Sequence, residues 1–413
     1  NGTATTTNAG PFVLVNSGAA TISGNMTLDG AFSQSGGGAV STASSITMTT
    51  ASDILFTDDV TLIGGVSYSS IGGDITFSGD VNGAYSFTLD SCDAGTITLN
   101  NVGDTTEITT LMVTTDNLVT LGTISTTGGQ IFASCGGTVD LCGTYNTGGS
   151  DFTVTGDVDL SCDTIINTEG GDISFAGTID GHYDLTLAAD AGDITFSGIV
   201  GGTTRVADLT ISSAATVTAS AAINAEGIVQ TAGSVATTFV ALDVDGATGI
   251  NLTGTAITLN GAVNTTEAGG VTIANSGALV IAEDLTLTGA FDQSGSGAVT
   301  LSGDITTDGD AIEFAGAVTL GSDITLTTAG GAIAFDSTVD GEQALTLVAG
   351  AGDINLDDAV GETTRLGVFT ITSGAAVTTD SITAASIVQT DATGTATYGS
   401  LDTDAAAGIS LTG

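Results

Sequence analysis

The chain has no lysine and no tryptophan; in 413 residues it has one proline, one histidine and two arginines, Arg205 and Arg365. Each shortage excludes something. Without clustered Lys and Arg nothing neutralises a phosphate backbone, so nucleic-acid binding is excluded. A centre that stabilises a developing anion with basic side chains has almost no material to use. Proteases that cut after basic residues find almost no site, which suits an extracellular life. No run is apolar and long enough to span a membrane as a helix. The single proline, Pro11, lies near the start of the chain, where it interrupts no interior ladder. No signal peptide is visible and the first residue is not Met, which predicts a processed product or an excerpt of a longer chain.

The formal charge of −44 arises from 46 acidic residues against two basic ones. Charged residues are only 12% of the chain, against about 25% in an average domain. Acids are therefore not in excess; bases are missing. That composition does not fit a salt-adapted cytoplasmic protein, which carries an acid-rich surface.

What the chain does have is repetition at two levels. Residues 170–254 return as 330–413, with Asp193-Ile194-Thr195-Phe196 ahead of Thr203-Thr204-Arg205 in one copy and Asp353-Ile354-Asn355-Leu356 ahead of Thr363-Thr364-Arg365 in the other. A partial copy over 72–129 begins at Gly72-Gly73-Asp74-Ile75-Thr76-Phe77. Residues 1–40 return as 260–299, with Gly30-Ala31-Phe32 matching Gly289-Ala290-Phe291. Inside the long copies Asp172-Ile173-Ser174-Phe175 recurs at Asp193, and Ala332-Ile333-Ala334-Phe335 recurs at Asp353, both at a step of 21 residues. That step is too short for a helix pair and fits one turn of a β-solenoid.

The local pattern agrees. In Asp193-Ile194-Thr195-Phe196-Ser197 and in Leu285-Thr286-Leu287-Thr288 apolar and polar residues alternate, the mark of a strand with one buried face. Gly-Asp, Gly-Gly, Asn-Gly and Ser-Gly pairs punctuate the strands. The expectation is an all-β fold: one continuous right-handed parallel β-helix (β-solenoid) over residues 1–413, with coils of about 21 residues and two or three strands per coil. Its interior is expected to be a column of Ile, Leu, Val and Phe.

The four cysteines are Cys92, Cys135, Cys142 and Cys162, all in the stretch that the repeats match least. Disulfides, free buried thiols and a zinc site are the alternatives, the last without a Cys-x-x-Cys pair to support it. Cys142 and Cys162 are 20 residues apart, close to one coil, a spacing that lets them stack as neighbours. Cys92 and Cys135 fall about two coils apart, which disfavours a direct bond.

Candidate chemical groups are few. His182, in Asp180-Gly181-His182-Tyr183, has no histidine counterpart in the sibling copies, which carry Gly341-Glu342-Gln343 and Gly83-Ala84-Tyr85; it reads as a variable turn residue. Arg205 and Arg365 occupy equivalent places after Thr-Thr, where the partial copy has Glu107. They read as structural, each pairing with nearby turn aspartates or carbonyls. Ca²⁺ at turn aspartates is conceivable where Asp172 and Asp193 stack one coil apart. The pair is not kept elsewhere, since Asp74 meets Gly95 and Ala332 meets Asp353 at the same step, and solvated turn aspartates are the favoured reading. Catalytic, cofactor and metal residues are thus expected to be none. An ice-binding Thr array is disfavoured because the outward positions mix Thr, Ser, Asp, Asn and Ala. Asn25-Met26-Thr27 and Asn251-Leu252-Thr253 are glycosylation acceptors only in a pathway that uses them.

Gly-Asp-Ile-Thr-Phe-Ser-Gly at 192–198 and Leu-Thr-Leu-Thr-Gly-Ala-Phe at 285–291 resemble the repeats of large secreted bacterial proteins of the filamentous-haemagglutinin type. The resemblance implies a right-handed parallel β-helix, export, and a role in adhesion or surface architecture; no secretion domain or C-terminal β-barrel of that family is visible. The two ends of the chain also match an internal joint. Gly408-Ile409-Ser410-Leu411-Thr412-Gly413 resembles Gly249-Ile250-Asn251-Leu252-Thr253-Gly254, and the N-terminal copy of the 260–299 repeat follows five residues short. The functional expectation is a non-enzymatic, extracellular or cell-surface structural protein that stacks head to tail with itself, or with neighbouring repeats of one chain, into a filament, sheath or matrix. The alternative is an adhesin stalk that binds a host, cell or polysaccharide ligand.

Overall fold

The computed structural model describes residues 2–120 and 122–413. Among them the regular elements are strands, with no helix, and the strand pairings given below are all parallel. The described chain forms two compact units, Asn1–Ala207 with Ser213–Ala215 and Asp208–Ser212 with Thr216–Gly413.

In the first unit a regular coil carries short strands on three faces. One coil runs Phe32–Ser35, Val40–Thr42, Ile46–Met48, and the next runs Ile54–Phe56, Val60–Leu62, Val66–Ile71. The second lies on the first with Phe32 beside Ile54, Val40 beside Val60 and Ile46 beside Tyr68. The expected 21-residue step is present where the sequence showed it: Ile173 pairs with Ile194 and Phe175 with Phe196. The second unit repeats the arrangement, with Ile333 beside Ile354 and Phe335 beside Leu356.

Period-two alternation puts every second side chain into the column. Ile173, Phe175, Ile194 and Phe196 are all buried, while Ser174 and Thr195 between them are half-buried. Successive coils stack like on like. Rings of Phe32, Phe56 and Phe77 follow one another at 4.9 Å, Phe175 and Phe196 stack at 5.8 Å, and Phe291, Phe314 and Phe335 do the same in the second unit at 5.1 and 5.0 Å. Each buried ring contributes roughly 1.5–3 kcal/mol through burial, and each ring pair about 0.5–1.5 kcal/mol beyond that.

The corners give a set of the aspartates a structural role. Where a coil turns, its strand ladder breaks and a backbone N–H is left seeking an acceptor. Asp53 Oδ1 accepts the N–H of Asp74 at 3.0 Å, and Asp74 Oδ1 accepts that of Thr96 at 2.8 Å. Asp151 serves Asp172 at 3.0 Å and Asp172 serves Asp193 at 2.8 Å. In the second unit Asp284 serves Asp304 at 2.9 Å, Asp304 serves Thr325 at 2.7 Å and Asp353 serves Ala376 at 2.9 Å. Asn25 and Asn101 play the same part for Ser45 and Thr123, each at 3.0 Å. The corner needs a short side chain that accepts. Lys and Arg only donate, so the structure supplies a reason for acids at these positions and none for bases.

Candidate functional site

The irregular part of each long copy is a loop that replaces a strand. Its first residue forms isolated bridges: Val102 with Val81 and Ile124, Val200 with Ile179, and Val360 with Val339 and Ile382. The next residue is Gly103, Gly201 or Gly361, with φ of 73°, 68° and 71°, a left-handed backbone that a side chain disfavours. The chain then presents two consecutive Thr N–H groups to the preceding coil. Asp180 Oδ1 accepts both, from Thr203 at 2.6 Å and Thr204 at 2.9 Å. Asp340 Oδ1 does the same for Thr363 and Thr364 at 2.9 and 3.0 Å, and Asn82 Oδ1 for Thr105 and Thr106 at 3.0 Å each. Two adjacent N–H groups of this kind form an anion cradle; here the protein fills it with its own oxygen.

The two arginines follow these loops. Arg365 donates to the carbonyls of Ala384 at 2.9 Å and Asp402 at 3.1 Å, and pairs with the carboxylates of Asp402 at 2.5 Å and Asp404 at 3.4 Å. It thus ties its own coil to the next two. Its partners are the expected carbonyls and aspartates, but one of them, Asp402, lies within the strand Leu401–Thr403 and not in a turn. Arg205 stands in the equivalent place of the first unit and is half-buried. His182 lies on the exposed turn between Gly181 and Tyr183, and Tyr85 and Tyr183 are about two-fifths exposed at matching positions, 43% and 41%. A shallow depression of about 360 Å³ on the first unit is lined by Gly129, Ile131, Gly149, Ser150, Asp151 and Thr153, so that it holds one acid and neither arginine nor the histidine.

The cysteines form two disulfides, Cys92–Cys135 and Cys142–Cys162. The second joins neighbouring coils, as the spacing indicated. The first corrects the expectation of two unreachable coils, because its Cα atoms are 5.6 Å apart. Cys92 and Cys135 do flank an intervening coil, but that coil turns its corner with only Asp116 and Asn117 between strands Thr110–Thr115 and Leu118–Thr120. The corners on either side are longer, 93–96 and 134–137, and Cys92, the last residue of its strand, bonds Cys135 across the short one. With all four sulfurs oxidised, the zinc alternative has no thiolate to use.

The aspartates also differ from the expectation of purely solvated turn residues. The local step is 22, so Asp74 faces Thr96 rather than Gly95, and Asp172 is committed to the backbone of Asp193. Among the described residues no three His, Cys, Asp or Glu side chains converge as a metal would require. Two carboxyls are held above the ordinary range: Asp140 by burial and then by the charge of Asp159 beside it on the next coil, and Asp90 by burial. The signal for the corner role was present in the sequence as Asp recurring at 53 and 74 and at 151, 172 and 193. Its meaning needed the direction of the N–H groups.

No family model matches this chain, and neither a curated protein nor a solved structure does.

Proposed function

We propose that this chain is a non-enzymatic, extracellular structural protein: a segment or subunit of a cell-surface fibre, sheath or matrix whose coils add head to tail. The observation that carries the reading is that each coil is the template for the next. Backbone ladders, inward columns of like residues and corner aspartates all direct their bonds from one coil to its neighbour, so cohesion lies along the stack. The scattered chemistry supports a non-catalytic role. His182 lies on an exposed turn, away from the depression of the first unit, and Arg365 is spent on three acceptor residues of neighbouring coils. Two disulfides favour an oxidising compartment, which is the support for an extracellular location. The filamentous-haemagglutinin-type kinship remains part of this proposal and rests on the repeat strings alone.

An adhesin stalk is the second reading. It is favoured by one observation: Met112 and Ile131 are partners on adjacent coils of the first unit, both outward and 44% and 42% exposed, an apolar spot of the kind that binds a partner.

Electron cryo-microscopy of native material, followed by denaturing electrophoresis, tests the proposal. Continuous fibres with an axial spacing near 4.8 Å are expected, and electrophoresis then separates stacked subunits from one giant chain. Isolated short particles that bind cells or polysaccharide, and lose binding on Ile131→Asp, overturn it in favour of the stalk.

A further inference from the structure

Inside the second unit, residues 242–252 carry residues 263–273 on two faces at once. Leu242 pairs with Val263, Asp243 with Asn264 and Val244 with Thr265; Ile250 pairs with Val271, Asn251 with Thr272 and Leu252 with Ile273. Both halves of this joint recur elsewhere in the chain. Residues 401–411 repeat 242–252, and residues 4–14 repeat 263–273. We infer that a second copy of this chain seats its residues 4–14 on residues 401–411 of the first, in the register of that internal joint. The inference rests on the head-to-tail reading and gives it a specific interface.

Three observations beyond the sequence match support it. The backbones are alike: the corner Asn8-Ala9 has φ of 62° and 56° where Glu267-Ala268 has 56° and 64°, and Gly408 has 61° where Gly249 has 64°. The seats are alike: Ile409 pairs back to Ile387 as Ile250 pairs back to Ile228. The surfaces left open are those the internal joint buries. Ile250 and Leu252 are 1% exposed, whereas Ile409 and Leu411 are 46% and 44% exposed. On the other half, an apolar depression of about 290 Å³ opens among Ala4, Phe12, Leu14, Ala20, Ile22 and Met26. An interface joining two different surfaces of one molecule does not close on itself and propagates.

The mapping fixes the contacts. Leu401 meets Ala4, Ile409 meets Phe12 and Leu411 meets Leu14 inside the column, while Ser410 meets Val13 outside it. On the third face the internal joint inserts Ala256–Leu259 between Ala236–Phe239 and Leu279–Ile281. Residues 401–411 and 4–14 supply the ladder pairing on the other two faces of the inferred joint.

The test is a cysteine pair in the whole chain, Ser410→Cys with Val13→Cys, exposed to mild oxidant with the two native disulfides intact. Stacked strands lie about 4.8 Å apart, within reach of a disulfide. A ladder of dimers, trimers and higher species on a non-reducing gel is expected. Ser410→Cys with Val15→Cys, two residues out of register by about 7 Å, is expected to stay monomeric. Ile409→Asp, at a half-exposed position, is expected to abolish the ladder while leaving the circular dichroism of the chain unchanged. If sedimentation shows assembly but the Val15 pair links as well as or better than the Val13 pair, the register is wrong and the head-to-tail reading stands. If the unmodified chain sediments as a monomer at its highest soluble concentration, both fall. A chain extended by Thr-Ala-Ile-Thr-Leu, the sequence of residues 255–259, adds the third-face strand of the internal joint; it is expected to assemble at least tenfold more tightly, and an unchanged affinity overturns the mapping.

Discussion

Reduction should loosen the first unit and leave the second untouched. The Cys92–Cys135 bond closes a span of 43 residues and Cys142–Cys162 one of 20. By the chain-entropy argument these cross-links remove about 4 and 3 kcal/mol of denatured-state freedom, respectively. The spans do not overlap, so the two contributions add to about 7 kcal/mol, comparable with the 5–15 kcal/mol that holds a typical domain together. Because a stack of coils can open locally, the readout must be local. Hydrogen exchange with peptic fragments serves, since a chain with two basic residues yields almost nothing to trypsin. After reduction and alkylation, amides of the strands between Ser86 and Asn167 should exchange faster by roughly 2–3 orders of magnitude per disulfide, at 1.4 kcal/mol for each factor of ten. Fragments from Thr216 onward contain no cysteine and act as the internal control. Equal acceleration in both units, or none in the first, would refute the assignment of these bonds as local staples.

Three further outcomes follow from the same structure. Asp172→Ala should cost about 1 kcal/mol by orphaning the N–H of Asp193, whereas Asp172→Asn, which keeps an acceptor oxygen as Asn25 and Asn101 do, should cost a few tenths at most; chemical denaturation compares them. Phe175→Ala, which opens a gap in a ring column, should cost about 3–5 kcal/mol, against less than about 0.5 kcal/mol for Ser174→Ala beside it on the outer surface. Asp140 has its carboxyl raised in the folded state, so the folded form takes up a proton more readily than the unfolded one, and this group weakens the fold above its folded value and ceases to do so as pH falls through it. Asp140→Asn should therefore stabilise at neutral pH, with the gain vanishing in acid; a gain that grows on acidification contradicts the sign.

Most of the architecture could be read from the chain because a solenoid writes its geometry in one dimension. Asp172-Ile173-Ser174-Phe175 and its echo at Asp193 state the step, the inward residues and the partner in the next coil. What failed to be legible was corner length. Asp116-Asn117 makes a short corner flanked by long ones, and only that contrast brings Cys92 to Cys135. The step also drifts, from 19 where Leu111 pairs with Gln130 to 24 where Leu345 pairs with Phe369, and at 22 it moves the partner of Asp74 from Gly95 to Thr96. The role of the aspartates was hidden for another reason: an acceptor and a solvated charge look the same in sequence until the direction of the facing N–H is known. At the candidate site the equivalence of Arg205 and Arg365 was visible, but the double capture of Thr N–H groups by Asp180, Asp340 and Asn82 was not.

The staples also set how the first unit answers to force. Ladder hydrogen bonds run along the stack, so tension in that direction peels coils singly, each release adding one coil of slack. Residues between Cys92 and Cys135, and between Cys142 and Cys162, cannot join that slack while the sulfurs are bonded. Together the 43 and 20 residues withhold about 210 Å of contour at roughly 3.4 Å per residue. A molecule pulled in oxidising solution should therefore stop short by that length, and one pulled after reduction should recover it: a stack whose reach is trimmed by two covalent bonds, with its rigidity left to all the rest.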